Sequence, residues 1–136
     1  MRAILTITFS ALMLAGCAAS YDKTAMPDAS VAVHQASLSC EARLAAKDIK
    51  TYSEMASCNL AAERTFFMDI KLKNMEKFEA YAANYGTLAA DRDANRISDS
   101  QAEQKANQML RQFYAECRCT RQAVIDSRYL PGLHVD

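Results

Sequence analysis

Five cysteines are the residues of this 136-residue chain with the most distinctive chemistry, because thiols can form disulfides or ligate metal ions. They are Cys17, Cys40, Cys58, Cys117 and Cys119. One residue separates Cys117 from Cys119, whereas two residues are usual between paired zinc-binding cysteines. The two histidines, His34 and His134, lie towards the two ends of the chain. The pattern therefore favours disulfides over a metal site.

Cys17 ends a segment that is typical of a secretory signal. Arg2 supplies a positive charge, and residues 3–15 are uncharged and mostly apolar. This run is shorter than the ~20 apolar residues that a membrane-spanning helix needs. Leu14-Ala15-Gly16-Cys17 matches the four positions of the lipobox, so the chain resembles the bacterial lipoproteins over its first 17 or 18 residues.

The resemblance implies that residues 1–16 are a signal peptide and are removed. It also implies that Cys17 becomes the first residue and is acylated, which anchors the protein in membrane lipid. Ala18, where a retained lipoprotein has Asp, resembles the sorting signal for the outer membrane, facing the periplasm. Two or three acyl chains make a durable anchor, whereas one holds only marginally. Residues 17–30 are small and polar, which predicts a flexible tether reaching ~20 Å.

Acylation of Cys17 leaves four thiols, and an even number in an exported protein predicts two disulfides. Because Cys117 and Cys119 are neighbours, we expect each to pair with Cys40 or Cys58. In the alternative pairing, Cys40 binds Cys58, and Cys117 and Cys119 remain as a pair or as thiols. A redox function of the Cys117-Arg118-Cys119 segment is a further hypothesis.

Residues 91–97 resemble the start of an EF-hand loop, but the match fails at two positions. Arg96 stands where a glycine is needed, and Ala102 stands where a bidentate Glu should bind calcium. A polar loop between helices is therefore the better interpretation. The sequence also contains no nucleophile-elbow, zinc-protease or phosphate-loop motif. We expect neither catalysis nor a bound cofactor or metal.

The charges are balanced, with 16 basic and 16 acidic residues, and removal of Arg2 leaves 15 basic residues. Nucleic-acid binding requires a basic surface, so we expect no nucleic-acid partner.

The stretch 28–130 contains no proline and one glycine, and strong helix formers dominate it, which predicts an all-α domain over residues 31–130. A first helix over 31–48, starting at Val31 or Ser37, ends in a turn, and Thr51 and Glu54 form a capping box for the next helix. The alternative is one long helix that continues through this turn. The remaining residues, 131–136, form a tail.

The second helix is predicted over 53–85, with a break at Gly86 and Asn95 as a left-handed C-terminal residue. Ser98 and Gln101 form a second capping box, which begins a third helix over 99–128. The resulting fold is a small three-helix, up-down-up bundle, braced at one end by two disulfides.

Apolar residues at helical spacing predict the side of each helix that faces the core. The predicted core positions are Leu38, Ala42, Ala45, Ile49 and Tyr52, then Leu60, Phe67, Ile70, Phe78, Tyr81, Tyr85 and Leu88, widened by Met68, Leu72 and Met75, and finally Ala102, Ala106, Met109, Leu110, Phe113, Cys117, Thr120 and Val124.

These features predict a non-enzymatic envelope lipoprotein that binds membrane lipid through Cys17 and acts through contacts with an envelope protein. The alternative is a periplasmic module that binds a small ligand or a metal ion. A buried cavity of several hundred cubic ångströms would favour the ligand-binding alternative. A solid core with an exposed apolar surface would favour binding of a protein partner.

Overall fold

The computed structural model describes residues 20–117, which form four α-helices and no strand. The helices are α1 (Met26–Ala45), α2 (Tyr52–Asp69), α3 (Met75–Asp93) and α4 (Asp99–Cys117). The all-α class is confirmed, but the described residues form four helices instead of the predicted three.

Each helix packs on its neighbour in the chain, α1 on α2, α2 on α3 and α3 on α4. The contacts between helices show that neighbours are antiparallel. Ser53 at the start of α2 meets Asp93 at the end of α3, and Lys77 near the start of α3 lies 3.8 Å from Glu116 near the end of α4. The arrangement is therefore up-down-up-down.

The predicted second helix is divided at residues 70–74, where there is neither glycine nor proline. Lys71 has a φ of 53°, and the N–H groups of Lys71 and Leu72 donate to the carbonyls of Met68 and Phe67. These two bonds are the Schellman motif, which satisfies carbonyl groups left open at a helix end. Ile70 and Leu72 are both buried, and a helix would point them to nearly opposite sides. Packing of both side chains therefore overrides local helix propensity.

The predicted break at Gly86 is wrong, because α3 continues through Gly86 to Asp93. A glycine inside a helix costs only about 1 kcal/mol. Burial of Tyr85, Leu88 and Ala89 on either side offsets that cost. The helix ends where Asn95 adopts a φ of 55°, so the prediction for Asn95 is confirmed.

The predicted tether is wrong for residues 20–30. Met26 begins α1, and Pro27 occupies its first turn, where a missing N–H costs nothing. Tyr21 is buried in the core, the N–H of Asp22 donates to Ile70, and the carbonyl of Ser20 accepts from Lys73. This segment therefore packs on the connection between α2 and α3.

Aromatic side chains from three helices form the centre of the core. Phe67 of α2 lies 5.1 Å from Phe78 of α3 and 5.3 Å from Phe113 of α4, measured between ring centres. All seven principal core positions predicted for the second helix are buried, as are Ala102, Phe113 and Cys117. Met68, however, is 60% exposed. Thr120 and Val124 lie outside the described residues.

One disulfide joins two described cysteines, Cys40 of α1 and Cys58 of α2, whose Cα atoms are 6.0 Å apart. The predicted pairing of these residues with Cys117 and Cys119 is therefore wrong, and the Cys40–Cys58 alternative is confirmed. The extra helix reverses the direction of α4, so Cys117 lies at the other end of the bundle. Closing this 18-residue separation stabilises the fold by about 3 kcal/mol in the chain-entropy model.

Cys117 is also disulfide-bonded. The other two cysteines of the sequence, Cys17 and Cys119, lie outside the described residues. A sulfur that carries a thioether-linked lipid cannot form a disulfide. If Cys17 is acylated, as the lipobox predicts, Cys119 is the one cysteine of the sequence that is left to pair with Cys117.

Candidate functional site

An apolar stripe on α1 faces solvent. Val31 is 59% exposed and Leu38 is 48% exposed, and Ala42 and Ala45 are exposed on the same side. The prediction that Leu38, Ala42 and Ala45 face the core is wrong. The core-facing side of α1 is the opposite one, which carries Ala29, Val33, Ser37 and Cys40.

α1 is therefore apolar on two opposite sides. Its inner side packs on α2. Val31 and Leu38 are seven residues apart, so they lie on one side of the helix two turns from each other, with the exposed polar residues His34 and Gln35 between them. We call the stripe formed by Val31, Leu38, Ala42 and Ala45 the outer face of α1.

A shallow groove of about 90 Å³ follows the contact between α1 and α2. Its lining is mostly apolar and includes the polar residues Thr65 and Asp69. A second groove of about 70 Å³ lies between α3 and α4, where Tyr81 and Phe113 stack at 5.2 Å. Small-molecule sites usually measure about 300–1,000 Å³. Neither groove therefore has the size of a ligand pocket.

Glu63 is the one carboxylate buried among the described residues. It lies on the core side of α2, near the phenol groups of Tyr81 and Tyr85 on α3. Burial raises the pKa of Glu63 from its usual 4.5 to about 8. The side chain is consequently protonated at neutral pH. Burial also raises the pKa of both tyrosines, so this polar group is uncharged.

Glu63 is not among the residues predicted from the sequence, although its spacing contained the signal. Leu60, Glu63, Phe67 and Ile70 follow one another at intervals of three and four residues, which places the carboxylate on the apolar stripe of α2. A buried carboxyl of raised pKa is a feature of some active sites, but structural groups show it too.

A polar cluster fastens the start of α2 to the end of α3. The carboxylate of Asp93 accepts hydrogen bonds from the N–H groups of Tyr52 and Ser53, at 2.7 and 3.0 Å, and from the Ser53 hydroxyl. Partial burial raises the pKa of Asp93, but these three hydrogen bonds outweigh it and hold the pKa below its ordinary value. The Thr51–Glu54 capping box is confirmed, and together with Asp93 it satisfies the first turn of α2.

Arg92 extends the same cluster to the start of α4. Its guanidinium lies 4.9 Å from the ring centre of Tyr52 and forms an ion pair with Asp99. The second predicted capping box is confirmed as well, since Ser98 and Gln101 exchange hydrogen bonds at 2.9 and 3.2 Å. The cluster therefore has a structural role at the junction of three helices.

The residues that resembled an EF-hand loop do not converge on a common centre. Asp91 forms an ion pair with Arg96 at 2.9 Å, while Asp93 caps α2 and Asp99 binds Arg92. Between residues 20 and 117, no group of three or more His, Cys, Asp or Glu side chains is arranged to hold a metal ion.

Replacement of Asp93 by alanine is expected to lower the free energy of unfolding by about 1–2 kcal/mol, as loss of a helix cap usually does. Because the pKa of Asp93 is lowered in the folded state, its contribution is present above its unfolded pKa and disappears as the pH falls through the folded value. Urea unfolding at pH 7 and pH 3 measures both effects.

The matched control for Asp93→Ala is Asp91→Ala, which removes a carboxylate two residues away. Asp91 makes a surface ion pair with Arg96, so its loss should cost under about 0.5 kcal/mol. Equal losses from the two variants would contradict the capping role.

Only some of the predicted functional residues lie within residues 20–117. His34 is exposed on α1, whereas Cys17, Cys119 and His134 lie outside the described residues. The disulfide between Cys40 and Cys58 is placed near the ends of α1 and α2 that meet at their connecting turn.

No protein-family model, curated protein or solved structure matches this chain. None of the helices between residues 20 and 117 is apolar over a long enough run to cross a lipid bilayer. An interpretation of function therefore depends on the residues of this chain alone.

Proposed function

We propose that this protein is a bacterial envelope lipoprotein, anchored through acylated Cys17, that acts by binding another envelope protein. The match of Leu14-Ala15-Gly16-Cys17 to the lipobox supports the anchor, and Ala18 supports placement in the outer membrane, facing the periplasm. The observation that supports protein binding is the outer face of α1, an apolar stripe on a helix whose opposite side is already buried.

A protein partner would bury more of the apolar area of this surface than a small ligand would. The outer face of α1 is convex, so it offers apolar area without enclosing a volume. Covering a Val or Leu side chain removes apolar surface from water, which contributes about 1.5–3 kcal/mol when burial is complete. The two grooves of about 90 and 70 Å³ give the ligand-binding alternative little support.

Anchoring is tested by the variant Cys17→Ser, which removes the acylated sulfur and leaves residues 20–117 unchanged. We expect the parent protein in the membrane fraction of cells and the variant in the soluble envelope fraction. A variant that stays in the membrane fraction to the same extent would contradict anchoring through Cys17.

Protein binding is tested by a photo-reactive amino acid at position 38, on the outer face of α1. A discrete cross-linked product is expected there, and none from the same group at Gln104, an exposed position on α4. Adding Val31→Asp should reduce the product about tenfold, because a desolvated charge easily costs the ~1.4 kcal/mol that this factor represents. Equal cross-linking from positions 38 and 104, or a product insensitive to Val31→Asp, would contradict the proposal.

A further inference from the structure

The start of the described chain is fixed to one end of the bundle. The carbonyl of Ser20 accepts from the N–H of Lys73 at 2.9 Å, and the N–H of Asp22 donates to the carbonyl of Ile70 at 2.6 Å. Tyr21 between them is buried in the core, and Asp22 binds the ammonium group of Lys71 at 3.2 Å. Ser20 therefore cannot move away from the α2–α3 connection without breaking these contacts.

The distance from Ser20 to the proposed anchor is short. Three peptide units separate Ser20 from Cys17, and three residues span at most ~11 Å even when fully extended. An acyl chain on the Cys17 sulfur enters the bilayer at the level of the lipid headgroups. Because Ser20 is hydrogen-bonded to the α2–α3 connection, this connection also lies close to the membrane surface.

The side chains at this end suit an interface with lipid. Met68 is 60% exposed in the last turn of α2, although methionine is an apolar residue. Lys23, Lys71 and Lys73 are exposed in the two segments that form this end, together with Asp69, and the ammonium group of Lys71 binds Asp22. Lysine side chains can lay their apolar stems on a membrane surface and keep their ammonium groups among the headgroups.

We propose that the end of the bundle formed by residues 20–24 and 68–74 rests on the membrane surface, with Met68 among the lipid headgroups. This inference rests on the proposed acylation of Cys17. We call these residues the membrane-proximal end. Because helices of 18 to 20 residues are about 27–30 Å long, the opposite turns, 46–51 and 94–98, lie about that far from the bilayer.

The proposal also orients the outer face of α1. Val31 lies nearer the membrane-proximal end, and Ala45 lies at the far end. A partner that covers this stripe would approach along the side of the bundle, beside the membrane. This places the partner's binding segment within about 30 Å of the bilayer.

The natural chain contains no tryptophan, so a single introduced indole reports on one position. The test uses acylated Met68→Trp protein in vesicles that contain brominated phosphatidylcholine, whose bromine atoms quench nearby indoles. The matched control is Ser57→Trp, an exposed position on the same side of α2 and ~16 Å further from the membrane-proximal end. We expect at least ~3-fold more quenching at position 68 than at position 57, given this difference in depth.

A third protein carries Met68→Trp and ten additional Gly and Ser residues between Ala19 and Ser20. The longer linker reaches ~17 Å or more and removes the constraint, so the quenching at position 68 should fall by at least half. Full quenching at position 68 in this protein would contradict the inference that the short linker from Cys17 to Ser20 holds this end of the bundle at the membrane.

Flotation of the vesicles distinguishes the inference from the proposed function. Protein that floats with the vesicles but shows equal quenching at positions 68 and 57 is anchored, and this result would overturn the orientation alone. Protein that carries no lipid and does not float would overturn the proposed anchoring itself.

Discussion

Replacement of Glu63 by glutamine is expected to stabilise the protein at pH 8.5 by about 3–5 kcal/mol and to leave its stability near pH 4.5 almost unchanged. Glutamine keeps the shape of glutamate but cannot ionise. Burial raises the pKa of Glu63 to about 8 in the folded protein, against 4.5 as its usual value. The folded state therefore holds a proton that the unfolded state releases.

The sign of the pH dependence follows from this difference. Below pH 4.5 the carboxyl is protonated in both states and opposes folding least. Between pH 4.5 and 8 the unfolded chain ionises first, so the free energy of unfolding falls by up to ~1.4 kcal/mol for each pH unit. Above pH 8 the side chain ionises in both states, and the destabilisation reaches a constant value.

The matched control for Glu63→Gln is Glu79→Gln, because Glu79 has the opposite shift. Two hydrogen bonds from Arg64, both 2.8 Å long, lower the pKa of Glu79. Its contribution is therefore present above the unfolded pKa and is lost as the pH falls. Urea unfolding from pH 4 to pH 9 measures both variants, and parallel curves for Glu63→Gln and the parent protein would contradict the burial of an un-ionised carboxyl.

Replacement of Phe67 by alanine is expected to lower the free energy of unfolding by about 3–5 kcal/mol. Phe67 is 1% exposed, and its ring contacts those of Phe66, Phe78 and Phe113 at centre-to-centre distances of 5.1–5.3 Å. These rings belong to α2, α3 and α4. The cavity left by alanine would therefore weaken the packing of three helices at once.

Two further variants at this place separate packing from helix propensity. Met68→Ala changes the next residue of α2, which is exposed, and should alter the free energy of unfolding by less than about 0.5 kcal/mol. Phe67→Leu keeps most of the buried volume and should cost less than Phe67→Ala. Unfolding in urea, followed by circular dichroism, measures all three, and a loss under about 1 kcal/mol for Phe67→Ala would contradict the central position of this ring.

Local signals in the sequence predicted the helix ends that depend on neighbouring residues. Thr51 with Glu54 and Ser98 with Gln101 form the expected capping boxes, and Asn95 has the expected left-handed conformation. Each of these features is determined by three or four neighbouring residues and by the geometry of a helix end.

The features that were missed depend on contacts between distant residues. Lys71 adopts a left-handed conformation because Ile70 and Leu72 are both buried beneath other elements. The extra turn at this point reverses α4 and separates Cys117 from Cys58. A pattern of local propensity contains no information on that reversal.

The wrong assignment of the inner side of α1 has a different cause. α1 has apolar or small residues on two sides, so periodicity alone could not select between them. Cys40 settles the choice, because its disulfide with Cys58 turns that side of α1 towards α2. The stripe through Leu38 then faces outwards, and this is why it supports a partner surface.

The proposed anchoring is tested most directly by the masses of tryptic peptides from unreduced protein extracted from membranes. Cleavage after Arg111, Arg118 and Arg121 separates Cys117 from Cys119. The proposed lipoprotein predicts that peptide 17–23 begins with an acylated cysteine, and that peptide 112–118 is joined by a disulfide to peptide 119–121. A disulfide between peptides 17–23 and 112–118, or an uncleaved peptide 3–23, would contradict it.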